Sequence, residues 1–495
     1  MRYTGDQSMN DMKPKILPPL LFPSKNHTER KFLGRLKREG KIRLVGSRLY
    51  CSVPKSQERE VIRAGWSLIV SSLYPDALLS HKSAFDYTSG EKGEIFLTSN
   101  TNRVVQYPGL TLVFLRGHKP LEDDPAFLSL RASSLPRCLL ENLSLSRHGK
   151  YRKGVDDGEI EKRLEQILHI KGEAALNRIR DRAREISKIL KLNREFSKLD
   201  SIIGALLGTR PANNLKTPPA IARSAGLPYD SGCFERLEKV FGGLRNRPFE
   251  EMRDDRRAGD HFTNKAFFEA YFSNYIEGTV FEIEEAEKII FDKHSPLKRP
   301  KDAHDIMGTY RMLSDAGEMS KTPETFESFT ATLKRRHFIM LEKREEASPG
   351  EFKVKPNRAG GTIFPSPEYV AGTLLKGFDF YLDLPEGFAR AAYMLFLVSD
   401  VHPFADGNGR IARIMMNAEL FSRGQSKIII PTVYREDYLL SLRAMTRRHR
   451  PEPFIEMLLR AWRFSNIEYS PYHKALKYIE EHNWFKEPDE ARIIA

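Results

Sequence analysis

A chain of 495 residues with 40% hydrophobic and 29% charged residues is long enough for two or three globular domains, and no run approaches the ~18 apolar residues of a membrane span. Three widely separated cysteines exclude a disulfide framework and a cysteine-rich metal site. The apolar stretch 16–22 is short and broken by prolines, so we expect no secretory signal and a cytoplasmic protein. A net charge of +14 favours an acidic partner such as nucleic acid, with a merely basic surface as the alternative.

Residues 1–56 combine a basic helix with a hairpin. Helix-spaced apolar residues come first, and two strand-like runs, 42–45 and 48–51, are then joined by Gly-Ser. A helix followed by a hairpin is the second half of a winged helix. Residues 1–48 hold twelve Lys and Arg against four Asp and Glu, which is an electrostatic footprint for duplex DNA. The sequence predicts a winged helix that contacts DNA through residues 28–55; a winged helix used only for protein contacts is the alternative.

Residues 57–150 predict a small α/β module. A helical pattern over 61–73 is followed by apolar strands at 95–98 and 110–115. Residues 28–145 resemble the AbiEi-type antitoxin and transcriptional regulator family, and three segments carry the resemblance: Leu-Lys-Arg-Glu-Gly-Lys-Ile with a following Leu-Tyr, Ser-His-Lys-Ser-Ala, and Pro-Gly-Leu-Thr-Leu. The resemblance implies a DNA-binding regulator in this half of the chain.

One pair in this module invites a catalytic interpretation. Ser80 and His81 have the residue types of a nucleophile and its base. Sequence neighbours point to opposite sides of a strand or to different faces of a helix. We therefore predict a helix cap and a structural histidine.

Residues 151–244 predict a helical connector and a linker. Apolar residues recur at helical spacing over 157–206 with dense charge on the other side. Several prolines and glycines over 208–232 are typical of an irregular segment. The next region, 245–465, carries the motifs described below, and the tail 466–495 is uninformative.

The most informative stretch is residues 402–413. A histidine, an aspartate and an asparagine crowd a segment that a proline and two glycines interrupt, and apolar residues at 411, 414, 415 and 418 then predict a buried helix stripe. A loop that leads into a helix N-terminus, with two arginines just behind, is suited to a phosphate group. Asp406 is an oxygen ligand suited to Mg²⁺, and His402 titrates near neutral pH. The stretch reads His402-Pro403-Phe404-Ala405-Asp406-Gly407-Asn408-Gly409-Arg410-Ile411-Ala412-Arg413.

This stretch resembles the signature of the Fic family, His-x-Phe-x-(Asp/Glu)-Gly-Asn-(Gly/Lys)-Arg-x-x-Arg, at every defined position. The resemblance implies a helical enzyme domain over 245–465 that transfers AMP from ATP to a protein hydroxyl. It implies His402 as general base and Asp406 as the magnesium ligand. The remaining positions would form the cofactor-binding set: Phe404 anchoring the loop, Gly407, Asn408 and Gly409 holding phosphates, and Arg410 and Arg413 holding the outer phosphates. Glycine at 409 fits nucleotidyl transfer better than phosphoryl transfer.

The stretch has two other interpretations. Alone, the histidine would be an ordinary loop residue and the arginines a solvated helix face. The dinucleotide fingerprint fits Gly407-x-Gly409-x-x-Ala412, but it needs a preceding strand and a later acidic residue. The upstream segment is helical in pattern and the next strand-like run, 428–430, ends in Pro-Thr, so we reject that fingerprint.

A second stretch, Ser273-Asn274-Tyr275-Ile276-Glu277-Gly278, is similar to the inhibitory motif of the same family, (Ser/Thr)-x-x-x-Glu-(Gly/Asn). A serine and a glutamate one helical turn apart are common by themselves. The motif precedes the catalytic stretch, which implies an N-terminal inhibitory helix. By resemblance, Glu277 pairs with Arg413 and occupies the charge that should hold the γ-phosphate.

A Gly-rich extended segment over 352–365 predicts a β-hairpin. By resemblance to Fic enzymes it is a flap that lays the target peptide along its edge, with Thr362, Ile363 and Phe364 placing the hydroxyl near the catalytic histidine. Lys353 stands where the family has arginine. His337 is predicted to be a buried structural histidine.

Two further residues stay ambiguous in the sequence. Tyr438 is either a base-stacking ring or a core aromatic. Asn417 either reaches the site or braces the helix interior.

The sequence thus predicts a multidomain protein: a winged helix plus a small α/β module, and a C-terminal all-α Fic-like domain with a β-hairpin flap. The predicted function is transfer of AMP from MgATP to Ser, Thr or Tyr of a protein, with autoinhibition by Glu277; the identity of the target is open, and the chain itself is one candidate. The alternatives are AMP removal, or a DNA-binding regulator that uses the Fic-like domain as a nucleotide sensor. Nucleotide preference and the target are open, and a homodimer is compatible with the sequence.

Overall fold

The chain forms two compact units, Met1–Ser224 and Ala225–Ala495. Among the described residues, no helix is both long and apolar enough to cross a bilayer. The computed structural model describes residues 17–23, 26–90, 92–144, 151–211, 215–293 and 299–492.

The first unit begins with one helix and a three-stranded antiparallel sheet in the order β1-β3-β2. The helix starts at Asn26, whose side chain accepts a hydrogen bond from the Thr28 N–H at 2.9 Å. A small core of Leu33, Leu36 and Ile42 joins the helix to the sheet. The identification of this part as a winged helix stays a prediction. The elements are β1 (Leu20–Leu21), α1 (His27–Arg38), β2 (Arg43–Gly46) and β3 (Leu49–Cys51).

A six-stranded mixed sheet with flanking helices follows, so the predicted α/β character is confirmed. The sheet order is β6-β7-β5-β4-β9-β8, and the pairs β5–β7 and β4–β9 are parallel. The predicted helix over 61–73 is two helices that meet at Gly65. The elements are α2 (Lys55–Ala64), α3 (Trp66–Leu73), β4 (Leu78–Leu79), α4 (His81–Asp86), β5 (Glu94–Ser99), β6 (Arg103–Tyr107), β7 (Leu110–Arg116), β8 (Ala126–Phe127), β9 (Leu130–Ala132) and α5 (Leu135–Leu143).

Ser80 and His81 lie at the turn from β4 to α4, and the prediction that their side chains diverge is wrong. His81 has a φ of +52°, and this turn brings its Nδ1 to 3.0 Å from the Ser80 Oγ. Ser80 occupies the N-cap position without a capping hydrogen bond from its side chain, because its Oγ accepts from Thr98 instead. Both residues are buried, and burial lowers the pKa of His81 to about 4. The structural role of the histidine agrees with the prediction.

Three helices complete the first unit: α6 (Asp157–Leu190), α7 (Asn193–Leu206) and α8 (Pro218–Ser224). Leu164 and Ile203 share one apolar core with Leu139 of α5. Gly172, with a φ of +73°, interrupts α6. The predicted helical connector and linker, 151–244, spans the boundary between the two units: α6 to α8 belong to the first unit, and the helix after them belongs to the second.

The second unit is helical around two central helices, α16 and α17. The predicted stripe at 411, 414, 415 and 418 is confirmed, since all four side chains are buried. The elements are α9 (Ser231–Arg245), α10 (Gly259–Ile276), α11 (Ile283–Ile290), α12 (Pro300–Leu313), α13 (Ala316–Met319), α14 (Phe326–Leu341), β10 (Arg358–Ala359), β11 (Thr362–Ile363), α15 (Pro367–Leu382), α16 (Phe388–Val401), α17 (Asn408–Ser422), α18 (Arg435–Arg448), α19 (Glu452–Phe464) and α20 (Tyr472–Glu481), with 3-10 turns at Glu345–Ala347 and Thr432–Tyr434.

The structure of this unit differs from two of the sequence predictions. Strand pairing in the expected hairpin is confined to β10 and β11, so residues 352–357 form no strand. The segment 466–495, for which the sequence predicted only a C-terminal tail, contributes to the core: α20 places Ile479 there, and the following loop places Trp484 there. Both differences come from tertiary packing, which the local sequence pattern does not report.

Candidate active site

His402 is the residue that ends α16. Its φ is +52°, and its backbone N–H donates to the Val398 carbonyl at 3.0 Å, as in a left-handed helix cap. Pro403 follows and prevents the helix from continuing. The imidazole is therefore presented at the end of a rigid, buried helix.

The protonation of His402 follows from its partners. Nδ1 lies 3.2 Å from the Ser399 carbonyl oxygen, which can only accept, so Nδ1 carries the proton and Nε2 keeps a lone pair. Phe364 stacks on the ring at a centroid distance of 3.7 Å and an interplanar angle of 3°. Burial lowers the pKa of His402 to about 4, so the ring is neutral at pH 7.

The loop after His402 is fixed by the stacking of one phenylalanine on a histidine and by two hydrogen bonds of that histidine. Phe404 is fully buried and stacks on His337 at 3.7 Å. His337 accepts the Gly350 N–H at Nδ1 at 2.9 Å, and its Nε2 donates to the Asp406 carbonyl at 3.0 Å. His337 is thus the buried structural histidine that the sequence predicts, and it holds the backbone of the loop.

The turn into α17 depends on Gly407 and Asn408. Gly407 has a φ of +73°, and a Cβ there would approach the side chains of Leu341 and Met340 to 2.9 Å. The Asn408 side chain accepts from the Phe404 N–H and donates to the Phe404 carbonyl, both at 2.8 Å. The side chain of Asn408 therefore shapes the loop, and the first turn of α17 faces the site with its N–H groups.

Asp406 is half-exposed at the mouth of this loop. One carboxylate oxygen accepts the Gly407 N–H at 2.6 Å, and the other lies 3.3 Å from the Arg344 guanidinium. In the parts of the chain that the structure describes, no group of three or more His, Cys, Asp or Glu could hold a metal by itself. A lone carboxylate fits Mg²⁺, which binds through one or two carboxylates together with substrate phosphates.

Arg410 is buried and tied to the core. Its Nη1 donates to the Asp305 carboxylate at 2.6 Å and lies 3.3 Å from the Asn274 side-chain oxygen. Asp305 also accepts from Arg344 at 2.8 Å, so one carboxylate positions both arginines. The Arg410 Nε has no hydrogen-bond partner among the described residues. This unsatisfied donor fits an anion at the loop.

Arg413 donates to α10 at three points. Its Nε donates to the Ser273 Oγ at 2.9 Å, and its Nη2 donates to the Ser273 carbonyl at 2.8 Å and to the Glu277 carboxylate at 2.7 Å. Glu277 caps the C-terminus of α10, and Gly278 turns the chain away with a φ of +91°. The guanidinium is buried, whereas the glutamate side chain is about one-third exposed, at 35%.

Gly409 lies directly against Glu277. A Cβ at position 409 would come within 2.1 Å of the Glu277 Oε1, a distance that no side chain tolerates. The carboxylate therefore rests on the first turn of α17, where the helix N–H groups favour negative charge. Glycine at 409 is what permits this contact.

His402, Glu277, Gly409 and Arg413 open onto one cavity of about 310 Å³, whereas Asp406 and Arg410 are not among its lining residues. Thr362 and Phe364 of the hairpin line it, whereas Ile363 is 79% exposed and lies outside. One wall is apolar and two arginines of α18 reach its edge, a combination typical of a small-molecule site. The lining includes Ile276, Glu277, Phe396, Ser399, His402, Gly409, Arg413, Tyr438, Leu439, Leu442, Arg443 and Arg447.

Comparison with known proteins decides the family. The Fic/DOC family model matches residues 328–420, from α14 into α17. A Fido domain-containing protein of Dictyostelium discoideum is 33% identical over 105 residues, which are 20% of this chain and 73% of that protein. The chain belongs to the Fic/DOC family.

Longer Fic relatives match with lower identity. Protein adenylyltransferase fic-1 of Caenorhabditis elegans is 23% identical over 308 residues, which cover 61% of this chain and 58% of that protein. Against fic-1 of Caenorhabditis briggsae the chain spans about half of the relative's length, 51%. A Fic domain containing signaling protein from Bacteroides thetaiotaomicron is 19% identical, with coverage of 47% of this chain and 95% of that chain and a TM-score of 0.36.

Of the residues predicted to bind the cofactor, Gly409 and Arg413 line the cavity, whereas Phe404, Gly407, Asn408 and Arg410 do not. Phe404 is fully buried and stacks on His337, which agrees with its predicted role as the anchor of the loop in the core. Both polar atoms of the Asn408 side chain form hydrogen bonds with the Phe404 backbone within the loop. Asn417 braces the helix interior, because its amide donates to Glu269 and to the Ile428 carbonyl. Tyr438 is buried and lines the cavity, so its ring is at once core and wall.

Sequence reasoning missed the residues that hold the Fic motif from outside. Asp305 and Asn274 position Arg410, and no local pattern marks either residue. Lys353 donates its backbone N–H to the Pro403 carbonyl at 2.8 Å and its Nζ to Asn357 at 2.7 Å. Asn357 in turn donates to the Phe404 carbonyl at 2.9 Å. One sequence signal pointed to this chain of hydrogen bonds, the lysine at position 353 where the family has arginine.

Proposed function

We propose that this chain transfers AMP from MgATP to a hydroxyl of a protein and that Glu277 restrains the transfer. The observation that carries the proposal is the meeting, in one cavity, of a neutral histidine whose Nε2 keeps its lone pair and an arginine whose charge is held by a glutamate. The name protein adenylyltransferase borne by the fic-1 relatives supports the same chemistry.

His402 is the proposed general base. Its Nε2 takes the proton of the attacking hydroxyl, whose oxygen bonds to the α-phosphorus of ATP as the bond to pyrophosphate breaks. The Ser399 carbonyl and the Phe364 ring hold the imidazole in one tautomer and orientation. Most of the rate enhancement then comes from positioning and from charge stabilisation.

The phosphates are proposed to lie on the first turn of α17. Its N–H groups, together with the Arg410 and Arg413 guanidiniums, supply the positive potential that holds them. Asp406 would hold Mg²⁺, which neutralises phosphate charge when bound. The half-exposed carboxylate and the unsatisfied Arg410 Nε support this assignment. Apolar walls formed by Phe396, Leu439 and Leu442 suit a nucleotide base.

Glu277 is proposed to act as a brake, with Ser273 and Gly278 as its support. The carboxylate holds the Arg413 charge, and its Oε1 covers the surface of Gly409. A nucleotide entering the cavity meets a negative group where its outer phosphates should bind. Transfer therefore requires Glu277 to move or to be removed.

The hairpin of β10 and β11 is proposed as the flap that holds the target. Thr362 and Phe364 line the cavity beside His402, so a peptide along the hairpin edge would place a hydroxyl near Nε2. Ile363 is 79% exposed and is free to contact the target directly.

Removal of AMP from a modified protein is a second candidate function. The partial exposure of the Glu277 carboxylate supports this candidate. A partly exposed carboxylate at the cavity wall can orient water toward a bound phosphodiester. The same chain loaded with an AMP-modified protein and Mg²⁺ would then release AMP, and Glu277→Gly would abolish the release.

DNA binding by the first unit is a separate proposal. α1 carries an acidic residue in its first turn and Arg35, Lys37 and Arg38 in its last turn, and its outer face is exposed. This charge supports the predicted winged helix over 1–56 as a duplex-DNA contact. Retention on duplex DNA should weaken steeply with salt and be lost on Arg35→Gln/Lys37→Gln/Arg38→Gln; retention unchanged by these substitutions would contradict it.

The test of the proposed transfer is the intact mass of purified protein after incubation with ATP and Mg²⁺. Wild type, Glu277→Gly and Glu277→Gly/His402→Ala are compared. An AMP adduct confined to Glu277→Gly supports transfer, brake and base together. An adduct that persists in the double variant would contradict the role of His402.

A further inference from the structure

A groove between α18 and α19 carries a concentration of unpaired positive charge. It has a volume of about 720 Å³ and lies in the second unit. Five arginine side chains line it, all are exposed, and none has a hydrogen-bond or ion-pair partner among the described residues. They are Arg443, Arg447, Arg448, Arg450 and Arg460; we call this the arginine groove.

The carboxylates of the groove do not balance this charge. Asp437, Glu452 and Glu456 also line it, but Glu456 is paired with Arg247 at 2.7 Å. Like charges that crowd a concave surface repel each other and attract an anionic partner. The arrangement is therefore suited to a ligand that brings several negative charges.

The arginine groove is continuous with the catalytic cavity. Arg443 and Arg447 line both. At the tip of the hairpin, a Cβ on Gly361 would lie 3.3 Å from the Arg447 guanidinium, so the hairpin edge runs directly to the groove. A chain held along the hairpin would pass from the catalytic histidine onto the arginines.

We propose that the arginine groove binds an acidic segment of the protein that the chain modifies. This inference rests on the proposed AMP transfer, and it names the class of target: a hydroxyl flanked at a short distance by Asp and Glu. The exposed Leu440 and the adjoining Met457 give the groove an apolar floor, which suits a peptide that mixes acidic and apolar side chains.

A peptide fits this surface better than a nucleic acid does. Asp437 and Glu452 interrupt the positive surface. A phosphodiester chain carries a charge on every unit and would meet both carboxylates, whereas a peptide can place neutral residues there. The proximity of a hairpin edge, which binds extended peptides through backbone hydrogen bonds, points in the same direction.

The test is fluorescence anisotropy with the full chain and no nucleotide, so it is independent of catalysis. The probes are a labelled peptide of alternating Ser and Glu, its Gln counterpart, and a single-stranded DNA of equal charge. The groove variant is Arg448→Gln/Arg450→Gln/Arg460→Gln, which spares the two arginines of the catalytic cavity. The matched control is Arg253→Gln/Arg311→Gln/Arg423→Gln, three exposed arginines elsewhere in the second unit.

We expect the acidic peptide to bind wild type and the control alike, and to bind the groove variant roughly tenfold more weakly. The Gln peptide should bind weakly to all three. Equal binding of the acidic peptide by the groove variant and the control, or no binding at all, would overturn the inference. If the groove substitutions weaken the binding of DNA more than the binding of the acidic peptide, the inference is also overturned, and the groove is then a nucleic-acid site.

A catalytic readout separates this inference from the proposed function. In the Glu277→Gly background, the groove substitutions should raise KM for the acidic peptide and leave kcat unchanged. Absence of AMP transfer would contradict the proposed function alone, since the binding experiment stands without it. Transfer with a KM that the groove substitutions do not change would contradict the arginine groove alone.

Discussion

The Arg413 guanidinium donates to the Glu277 carboxylate at 2.7 Å, across the gap between α17 and α10. This one contact links the last residue of the Fic motif to a residue more than a hundred positions earlier in the chain. Because Glu277 is more exposed than Arg413, the carboxylate is the partner that can move. The contact is the structural basis of the proposed restraint on AMP transfer.

Removing the carboxylate should release the restraint. Glu277→Gly is expected to raise the rate of AMP transfer roughly ten- to hundredfold, because a hydrogen bond to a charged group contributes about 1.5–3 kcal/mol. Transfer is measured with labelled ATP at fixed Mg²⁺. Glu282→Gly, a change of an exposed carboxylate just beyond α10, is the control and should leave the rate as in wild type.

The close approach of Gly409 to Glu277 predicts a coupling between the two positions. Gly409→Ala should push the Glu277 carboxylate away from Arg413 and destabilise the protein by up to about 1 kcal/mol, because its Cβ would lie 2.1 Å from the end of this partly exposed side chain. In the Glu277→Gly background most of that loss should disappear, as measured by urea unfolding. Gly407→Ala is the control: its clashes are with Leu341 and Met340, so removal of Glu277 should not relieve them. Equal costs for Gly409→Ala in both backgrounds would contradict the packing.

The low pKa of His402 predicts the acid limit of the reaction. Only the neutral ring accepts a proton, and burial depresses the pKa to about 4, below the ordinary value of 6.5. The value of kcat/KM for the Glu277→Gly protein should therefore stay level as pH falls from 8 to about 5.5, and it should decline as pH approaches 4. Circular dichroism at each pH controls for unfolding. A half-maximal rate near pH 6.5 would argue against a buried, neutral base.

Arg344 competes for the carboxylate that would hold the metal. Its guanidinium lies 3.3 Å from Asp406. Arg344→Ala should lower the Mg²⁺ concentration needed for half-maximal transfer by at most about fivefold, since a partly exposed ion pair contributes up to about 1 kcal/mol. Lys343→Ala, its exposed neighbour, should leave the Mg²⁺ requirement unchanged. A higher requirement in Arg344→Ala would show that Arg344 supports the metal site.

The sequence predicted those parts of the site whose residues are close to each other in the chain. Residues 402–413 form a loop and a helix N-terminus by their own pattern of proline, glycine and apolar residues, so the local geometry follows from the segment alone. The motif at 273–278 was identified by its resemblance to the family's inhibitory motif, in which one helical turn separates Ser273 from Glu277.

The remaining contacts arise from packing between distant segments. Asp305 positions Arg410 across more than a hundred residues, and a single buried aspartate leaves no periodic signal. Phe364 was placed in the flap, but its stacking on His402 depends on how the hairpin folds over α16. In the first unit, the positive φ of His81 brought together two side chains that regular secondary structure would separate.

The most direct test of the central claim uses ATP labelled at either the α- or the γ-phosphate with wild type, Glu277→Gly and Glu277→Gly/His402→Ala. AMP transfer restrained by Glu277 predicts protein-bound label from the α-position only, strong in Glu277→Gly and absent in the double variant. Label from the γ-position, or equal α-label in wild type and Glu277→Gly, would contradict it.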